Sequence, residues 1–179
     1  MPQDIPATFN EVPTQQLRPR LLALTAAPQW ADDLLARRPY PSSAALLDTS
    51  DALVRSLPEA QIDAALAGHP RIGERAAGLD PAAAARSAGE QAGMASADEA
   101  VERAMAEGNA EYEERFGRIY LVAAAGRSAG ELLALLRQRL GNDPEVELDV
   151  VRRELAAITR QRLQAELQAP SDDGDEEER

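Results

Sequence analysis

The stretch DPEVELDVVRRELAAITRQRLQAELQ, residues 143–168, decides the fold class of this chain. Asp143 is a favourable N-cap, and Pro144 suits the first position of a helix, where its missing N–H costs nothing. Apolar residues then recur at spacings of three, four and three: Leu148, Val151, Leu155 and Ile158. This spacing predicts one long helix that buries the apolar stripe and ends at about Gln168.

The rest of the 179-residue chain has the same helical character. Alanine, leucine, arginine and glutamate dominate it, and no segment shows sustained alternation of β-branched residues. A chain of this length can bury roughly 70% of its unfolded surface around one core. We therefore predict an all-α fold, with one compact domain of about eight helices over residues 1–169.

Prolines, serine caps and glycines mark the helix boundaries in the first half of the domain. The predicted helices cover 14–26, with Pro19 in the first turn; Pro28 to just before Pro39; Ser42 or Ser43 to about Leu57; and Pro58 to Gly68. Residues 69–79 then form a loop.

Similar signals divide the second half. The predicted helices run from Asp80 as N-cap and Pro81 to about Gln91; from a Ser96–Glu99 capping box to Phe116, with Gly117 as the stop; and from a Ser128–Glu131 capping box to Gly141. The short apolar run Ile119–Ala125 fits a buried strand or a buried helix. We favour a helix because no partner strand is evident.

Composition and charge exclude several functions. The sequence has no cysteine and no lysine, so disulfides, thiolate metal sites and lysine Schiff bases cannot form. With one histidine and no cysteine, a metal site is not expected, and an all-carboxylate site is the one alternative left open. The net charge of -12 argues against a nucleic-acid partner, because binding to nucleic acid needs a basic surface.

Residues 170–179, PSDDGDEEER, hold six acids and one arginine, which predicts a disordered acidic tail. The start of the chain lacks a basic region followed by an apolar one, and no apolar run is long enough to span a membrane. A cytoplasmic protein without membrane contact is therefore the expectation.

His69 is the only histidine, and histidine is the side chain whose ordinary pKa suits proton transfer near neutral pH. Pro70 restricts the backbone on both sides of the peptide bond, so the imidazole should leave the chain in a defined direction. His69 is then either a surface or capping residue after Gly68, or an acid–base catalyst.

Two other polar features also leave alternatives open. Ser87, Glu90 and Gln91 share one face of a predicted helix, which is either a solvated side or a binding surface. Arg162 continues the apolar stripe of the last helix. Its guanidinium either reaches water where that helix leaves the core, or offers a planar fork to a carboxylate or carbonyl.

Ordered blocks of sequence connect these residues. They are GHPRIGE at 68–74, SAGEQAG at 87–93, NAEYEERFGRIYLVAA at 109–124 and RLGNDPEVEL at 139–148, followed by ITRQRL at 158–163. In this order and spacing the chain resembles the 2-oxo-4-hydroxy-4-carboxy-5-ureidoimidazoline (OHCU) decarboxylase family, from about Leu17 to Leu167. That family produces (S)-allantoin during urate breakdown.

The resemblance implies that His69 is the catalytic acid or base and that Ser87 and Glu90 hydrogen-bond the substrate. Our mechanistic hypothesis adds a catalytic role for Glu90, which orients His69 for proton transfer. It also implies a homodimer and a small-molecule substrate, and it implies no cofactor, because a ring C=N of OHCU can accept the electrons that decarboxylation releases. The implied substrate-binding residues are Pro70, Ser87, Gln91, Tyr120, Leu121, Val122, Ala123, Ala124 and Arg162.

Two rival interpretations remain at this point. The chain could be a non-catalytic helical interaction module that uses its acidic tail as a binding arm. It could also be a decarboxylase or hydrolase of a related ureido-imidazole compound, since the shape of the pocket is invisible in the sequence.

Overall fold

A computed structural model describes residues 7–74 and 81–168, which form helices and no strand. A 3₁₀ helix at Ala92–Ser96 lies between α6 and α7. The α-helices are α1 Ala7–Glu11, α2 Thr14–Leu24, α3 Pro28–Ala36, α4 Ser43–Arg55, α5 Glu59–Leu66, α6 Pro81–Glu90, α7 Glu99–Phe116, α8 Ala129–Arg139 and α9 Pro144–Gln168. The all-α prediction is confirmed.

Several predicted helix signals act as expected. Ser42 caps α4 by accepting a hydrogen bond from the backbone N–H of Ala45. Ser128 and Glu131 form both halves of a capping box at the start of α8. Gly117 ends α7 in the left-handed conformation, with φ of 69°. The long C-terminal helix spans 25 residues, as its apolar spacing predicts.

Other boundary predictions are wrong. Asp98, not Ser96, caps α7, and its side chain accepts a hydrogen bond from the backbone N–H of Val101. Pro19 lies inside α2 rather than in its first turn, because the helix begins at Thr14. Helix α1 was not predicted: it is five residues long, and its Phe9 ring packs 6.1 Å from the Tyr40 ring.

Two predicted features fall where the structure gives no description. The N-cap at Asp80 and the acidic tail at 170–179 both lie outside the described residues.

Two hydrophobic cores divide the domain. The larger core is formed by α1 to α5 with α9, and α9 packs mainly against α4. The smaller core is formed mainly by α7 and α8, and includes Ile72 and Met94. No helix in the described ranges is long and apolar enough to cross a membrane.

The segment 119–124 runs between the two cores and is neither helix nor strand. The prediction of a helix at Ile119–Ala125 is therefore wrong. Leu121 belongs to the larger core, where Ile119 and Ala123 pack against it. Tyr120, Val122 and Ala124 belong to the smaller core. Alternate residues therefore face opposite cores, which explains the continuous apolar run without a helix.

Candidate active site

A narrow cavity of about 380 Å³ lies where segment 119–124, α6 and α9 meet the loop after α5. All but one of the predicted site residues line it: His69, Pro70, Ser87, Glu90, Gln91, Tyr120, Leu121, Val122, Ala124 and Arg162. The exception is Ala123. Residues from four separate parts of the chain thus converge, as the ordered sequence blocks would require of one site.

His69 makes hydrogen bonds through both ring nitrogens. Its Nδ1 atom lies 2.9 Å from the carbonyl oxygen of Ala65, which can only accept, so Nδ1 carries the proton. Its Nε2 atom lies 3.2 Å from Nη1 of Arg162, which can only donate. The network therefore selects the neutral imidazole, with the lone pair of Nε2 directed at Arg162.

The surroundings of His69 favour this neutral form. Burial lowers the pKa of His69 to about 4, and the positive charge of Arg162 acts in the same direction. The hydrogen bond to Ala65 and the negative charge of Glu90 oppose the shift. At neutral pH the ring can accept a proton but has none to donate from Nε2.

Arg162 is buried and held in several directions. Its side chain is 8% exposed. Nε and Nη2 donate to the two carboxylate oxygens of Glu90 at 2.7 and 2.8 Å, and Nη1 donates to the carbonyl of Leu24 at 2.8 Å. With the contact to His69, four of its five N–H groups are used within the described residues. The guanidinium therefore faces the cavity rather than bulk water.

Glu90 orients Arg162 rather than His69. Its carboxylate makes a bidentate pair with the guanidinium, while His69 is oriented by Ala65 and Arg162. No hydrogen bond joins Glu90 to the imidazole, so any orientation of His69 by Glu90 passes through Arg162. Glu90 acts on His69 through its charge and through the position of Arg162.

The loop that carries His69 and Pro70 is fixed by side chains from neighbouring elements. Asn109 on α7 donates to the carbonyl of Ile72 at 2.9 Å. Gln91 accepts from the N–H of Gly73 at 3.0 Å, and Gly73 has a φ of 84° that favours glycine. Gln91 therefore supports the loop as well as lining the cavity.

Ser87 is the one buried residue of α6 and is 5% exposed. Its hydroxyl has no hydrogen-bond partner among the described residues and lines the cavity. A cavity hydroxyl of this kind can donate to or accept from a bound molecule.

Segment 120–124 is held from both sides. Arg139 donates to the carbonyl of Leu121 at 2.6 Å, and the N–H of Ala123 donates to Glu154 at 2.8 Å. The hydroxyl of Tyr120 donates to the carbonyl of Leu132 at 3.1 Å. Within the described residues, Val122 makes no backbone hydrogen bond, so its N–H and C=O remain for a ligand.

A buried ion pair supports that segment. Arg139 donates to Glu147 at 2.5 Å, and the two side chains are 6% and 1% exposed. The hydroxyl of Tyr112 also donates to Glu147, and Asn142 donates to its second oxygen at 2.7 Å. Breaking a buried pair of this kind leaves an uncompensated charge, so the cluster should fix the segment firmly.

Comparison with known proteins assigns this chain to a family. The sequence matches OHCU decarboxylase over residues 10–164. It is 33% identical over 153 residues to the 2-oxo-4-hydroxy-4-carboxy-5-ureidoimidazoline decarboxylase of Amia calva, covering 83% of this chain and 82% of that protein. The chain belongs to the OHCU decarboxylase family. Members of this family are carboxy-lyases of urate degradation, and this chain is one of them.

A second relative agrees with this assignment. The chain is 34% identical over 101 residues to the uric acid degradation bifunctional protein TTL of Arabidopsis thaliana, covering 55% of this chain and 31% of that protein.

Two solved structures share the fold. An OHCU decarboxylase crystallised in the presence of (S)-allantoin has a TM-score of 0.71 and 21% identity, over 84% of this chain and 98% of that one. An (S)-allantoin synthase has a TM-score of 0.65 and 17% identity, over 89% of this chain and 52% of that one.

Sequence reasoning missed three residues that line the cavity of this OHCU decarboxylase family member: Ile72, Ile158 and Gln161. Ile158 belongs to the apolar stripe of α9, and Ile72 and Gln161 lie within the blocks GHPRIGE and ITRQRL, so their place in these blocks could have indicated them. The carbonyls of Leu24 and Ala65 carried no signal at all, because any residue type supplies a carbonyl. In the part of the chain that the structure describes, no three His, Cys, Asp or Glu side chains converge as metal ligands would.

Proposed function

We propose that this protein converts OHCU into (S)-allantoin and carbon dioxide, with His69 as the acid–base residue. The observation that carries the proposal is the neutral imidazole in the cavity, whose Nε2 lone pair accepts a hydrogen bond from the buried Arg162. The name of the Amia calva relative and the (S)-allantoin present with one structural neighbour support the choice of substrate and product.

The substrate supplies its own electron sink. When the carboxylate at C4 leaves as carbon dioxide, the electron pair of the broken bond forms a C4=C5 double bond, and the former C=N nitrogen gains a proton. The resulting enol then loses its O–H proton while C5 gains one, which gives allantoin. The protein has to orient the substrate, stabilise charge and protonate one face of C5.

His69 suits the transfer between the enol oxygen and C5. Nε2 accepts the hydroxyl proton and returns a proton to C5 from one side, which sets the configuration. The hydrogen bond from Nδ1 to Ala65 holds the ring plane throughout and stabilises the protonated imidazole. The carbonyl of Ala65 thus takes the orienting role that a carboxylate takes in many catalytic histidines.

Arg162 suits the substrate carboxylate or a ureido carbonyl. Its remaining N–H on Nη2 and the N–H that faces His69 are the groups that a substrate can reach. A carboxylate placed there offsets the charge of Arg162, which otherwise lowers the pKa of His69. Substrate binding therefore raises the basicity of the imidazole until the carboxylate leaves as carbon dioxide.

The remaining groups that line the cavity suit the ring of the substrate. The free N–H and C=O of Val122 match the donor and acceptor pattern of the ring amides, and Ser87 on α6 offers a hydroxyl to the same cavity. Pro70 limits the position of the ring beside His69.

The proposal is tested by generating OHCU in situ from urate with urate oxidase and hydroxyisourate hydrolase while recording circular dichroism. We expect the (S)-allantoin signal to appear rapidly when this protein is added. Decay at the spontaneous rate to racemic product would contradict the proposal. It would instead favour decarboxylation of a related ureido-imidazole substrate.

A further inference from the structure

Two larger cavities adjoin the active-site cavity on either side of α6. The first holds about 1140 Å³ and shares Pro70, Ser87 and Gln91 with the active site. The second holds about 740 Å³ and shares Glu90, Gln161 and Arg162. We call them the glutamate-side and the arginine-side cavity, after Glu102 in the first and Arg86 in the second.

The charges that line the two cavities differ. In the arginine-side cavity the acids are neutralised, since Glu90 pairs with Arg162 and Glu166 pairs with Arg20. Within the described residues, the half-buried Arg86 pairs with no carboxylate. The glutamate-side cavity contains Glu102, which has no cationic partner in the described part of the chain. An anion is therefore favoured only on the arginine side.

Arg86 and Arg162 are anchored next to each other. Arg86 donates to the carbonyl of Ala23, and Arg162 donates to the carbonyl of Leu24, each at 2.8 Å. These are the last carbonyls of α2, which lack partners inside the helix and carry partial negative charge. The end of α2 thus places a second cation beside the one in the active site.

We propose that Arg86 is a substrate-recognition residue and that the arginine-side cavity is the route by which an anionic substrate reaches Arg162. This inference rests on the proposed function, which supplies the negative charge of the substrate. A chain with a net charge of -12 repels an anion over most of its surface, so a local cation at the opening has a large influence on capture.

Arg86→Gln is the direct test, and Arg153→Gln is its matched control. Arg153 is exposed on α9, has no carboxylate partner among the described residues and lies away from both cavities. Both variants have the same net charge, so any difference between them reports the position of the charge. The measurements are kcat and KM with OHCU at several ionic strengths.

We expect Arg86→Gln to raise KM by about fivefold relative to Arg153→Gln, with kcat changed less. Its kcat/KM should also rise more with added salt, because screening removes repulsion that Arg86 no longer offsets. Arg86→Lys keeps the charge and should restore most of kcat/KM, which separates a charge effect from loss of the anchor on Ala23.

Equal KM values and equal salt dependence in the Arg86→Gln and Arg153→Gln proteins would overturn the inference. So would a loss confined to kcat that Arg86→Lys does not restore, because it would indicate a structural role. Inactivity of the unchanged protein towards OHCU would instead overturn the proposed function, so the two failures are distinguishable.

Discussion

The Nε2 atom of His69 lies 3.2 Å from the Nη1 atom of Arg162, and a guanidinium can only donate in such a contact. The imidazole is therefore neutral and poised to accept a proton. The same contact joins His69 to Arg162, which we propose binds the substrate. Binding of the substrate at Arg162 therefore changes the basicity of His69.

His69 should titrate well below an ordinary histidine. Because burial and Arg162 lower its pKa to about 4, kcat/KM should stay level from neutral pH down to about pH 5 and fall as pH drops through about 4. The chain has one histidine, so a ¹H–¹⁵N spectrum of the imidazole reports the titration directly. A midpoint near 6.5 would contradict the expected environment.

The same pKa shift affects folding. The unfolded chain protonates His69 near pH 6.5 and the folded chain only near pH 4, so the unfolded state binds more protons between these values. The stabilising contribution is complete above pH 6.5 and is lost as pH falls towards 4. Urea unfolding should show a steeper loss of stability over this range in the unchanged protein than in His69→Asn.

Arg162→Lys should reduce kcat/KM by roughly 10- to 100-fold, because a lysine cannot make the bidentate pair with Glu90 while facing His69 and Leu24. Arg160→Lys is a suitable control, since Arg160 lies on the same helix and pairs with Asp48 and Asp51 instead. Steady-state kinetics give kcat/KM for the two variants. Similar activity in both would argue against a substrate-binding role for Arg162.

Glu154→Ala should lower kcat by about tenfold. The N–H of Ala123 would lose its acceptor. The backbone of segment 120–124 would then move away from the position in which it contacts the substrate. Glu154→Gln keeps an acceptor oxygen and should retain most of the activity. If Glu154→Ala kept full kcat while its melting temperature fell, Glu154 would be a structural residue only.

The helix-capping correction can be tested by stability alone. Asp98→Ala should lower the free energy of unfolding by about 1 kcal/mol, because α7 would lose the side chain that accepts from Val101. Ser96→Ala should leave it nearly unchanged, since Ser96 is not the cap of α7. Chemical denaturation measures the free energy of unfolding of both variants. A larger loss in Ser96→Ala than in Asp98→Ala would support the capping box predicted from the sequence.

Much of the fold follows from local signals. The apolar stripe of α9, the Ser42 cap and the Ser128–Glu131 box each act over a few residues, so the sequence alone predicts them. The apolar run at Ile119–Ala125 has no period that separates helix from strand, and the helix is predicted there because no partner strand is evident. The conformation of this run depends on two cores that lie on opposite sides of it, which is tertiary information.

The candidate site is also only partly predictable from the sequence. His69, Glu90 and Arg162 stand out by residue type and by the blocks that contain them. Their connections do not, because two of the three groups that hold His69 and Arg162 in place are backbone carbonyls, at Ala65 and Leu24. The sequence therefore predicts which side chains meet, and the structure is needed to show that Glu90 orients Arg162.

The most direct test of the central claim is the coupled circular dichroism assay on His69→Asn beside the unchanged protein. The asparagine amide can still donate to Ala65, but no nitrogen remains at the position of Nε2, so the variant removes the proton acceptor with little change in packing. We expect a loss of 10²- to 10⁴-fold in rate, with a racemic product from spontaneous decay. Stereospecific turnover to (S)-allantoin at a rate near that of the unchanged protein would contradict the assignment of His69.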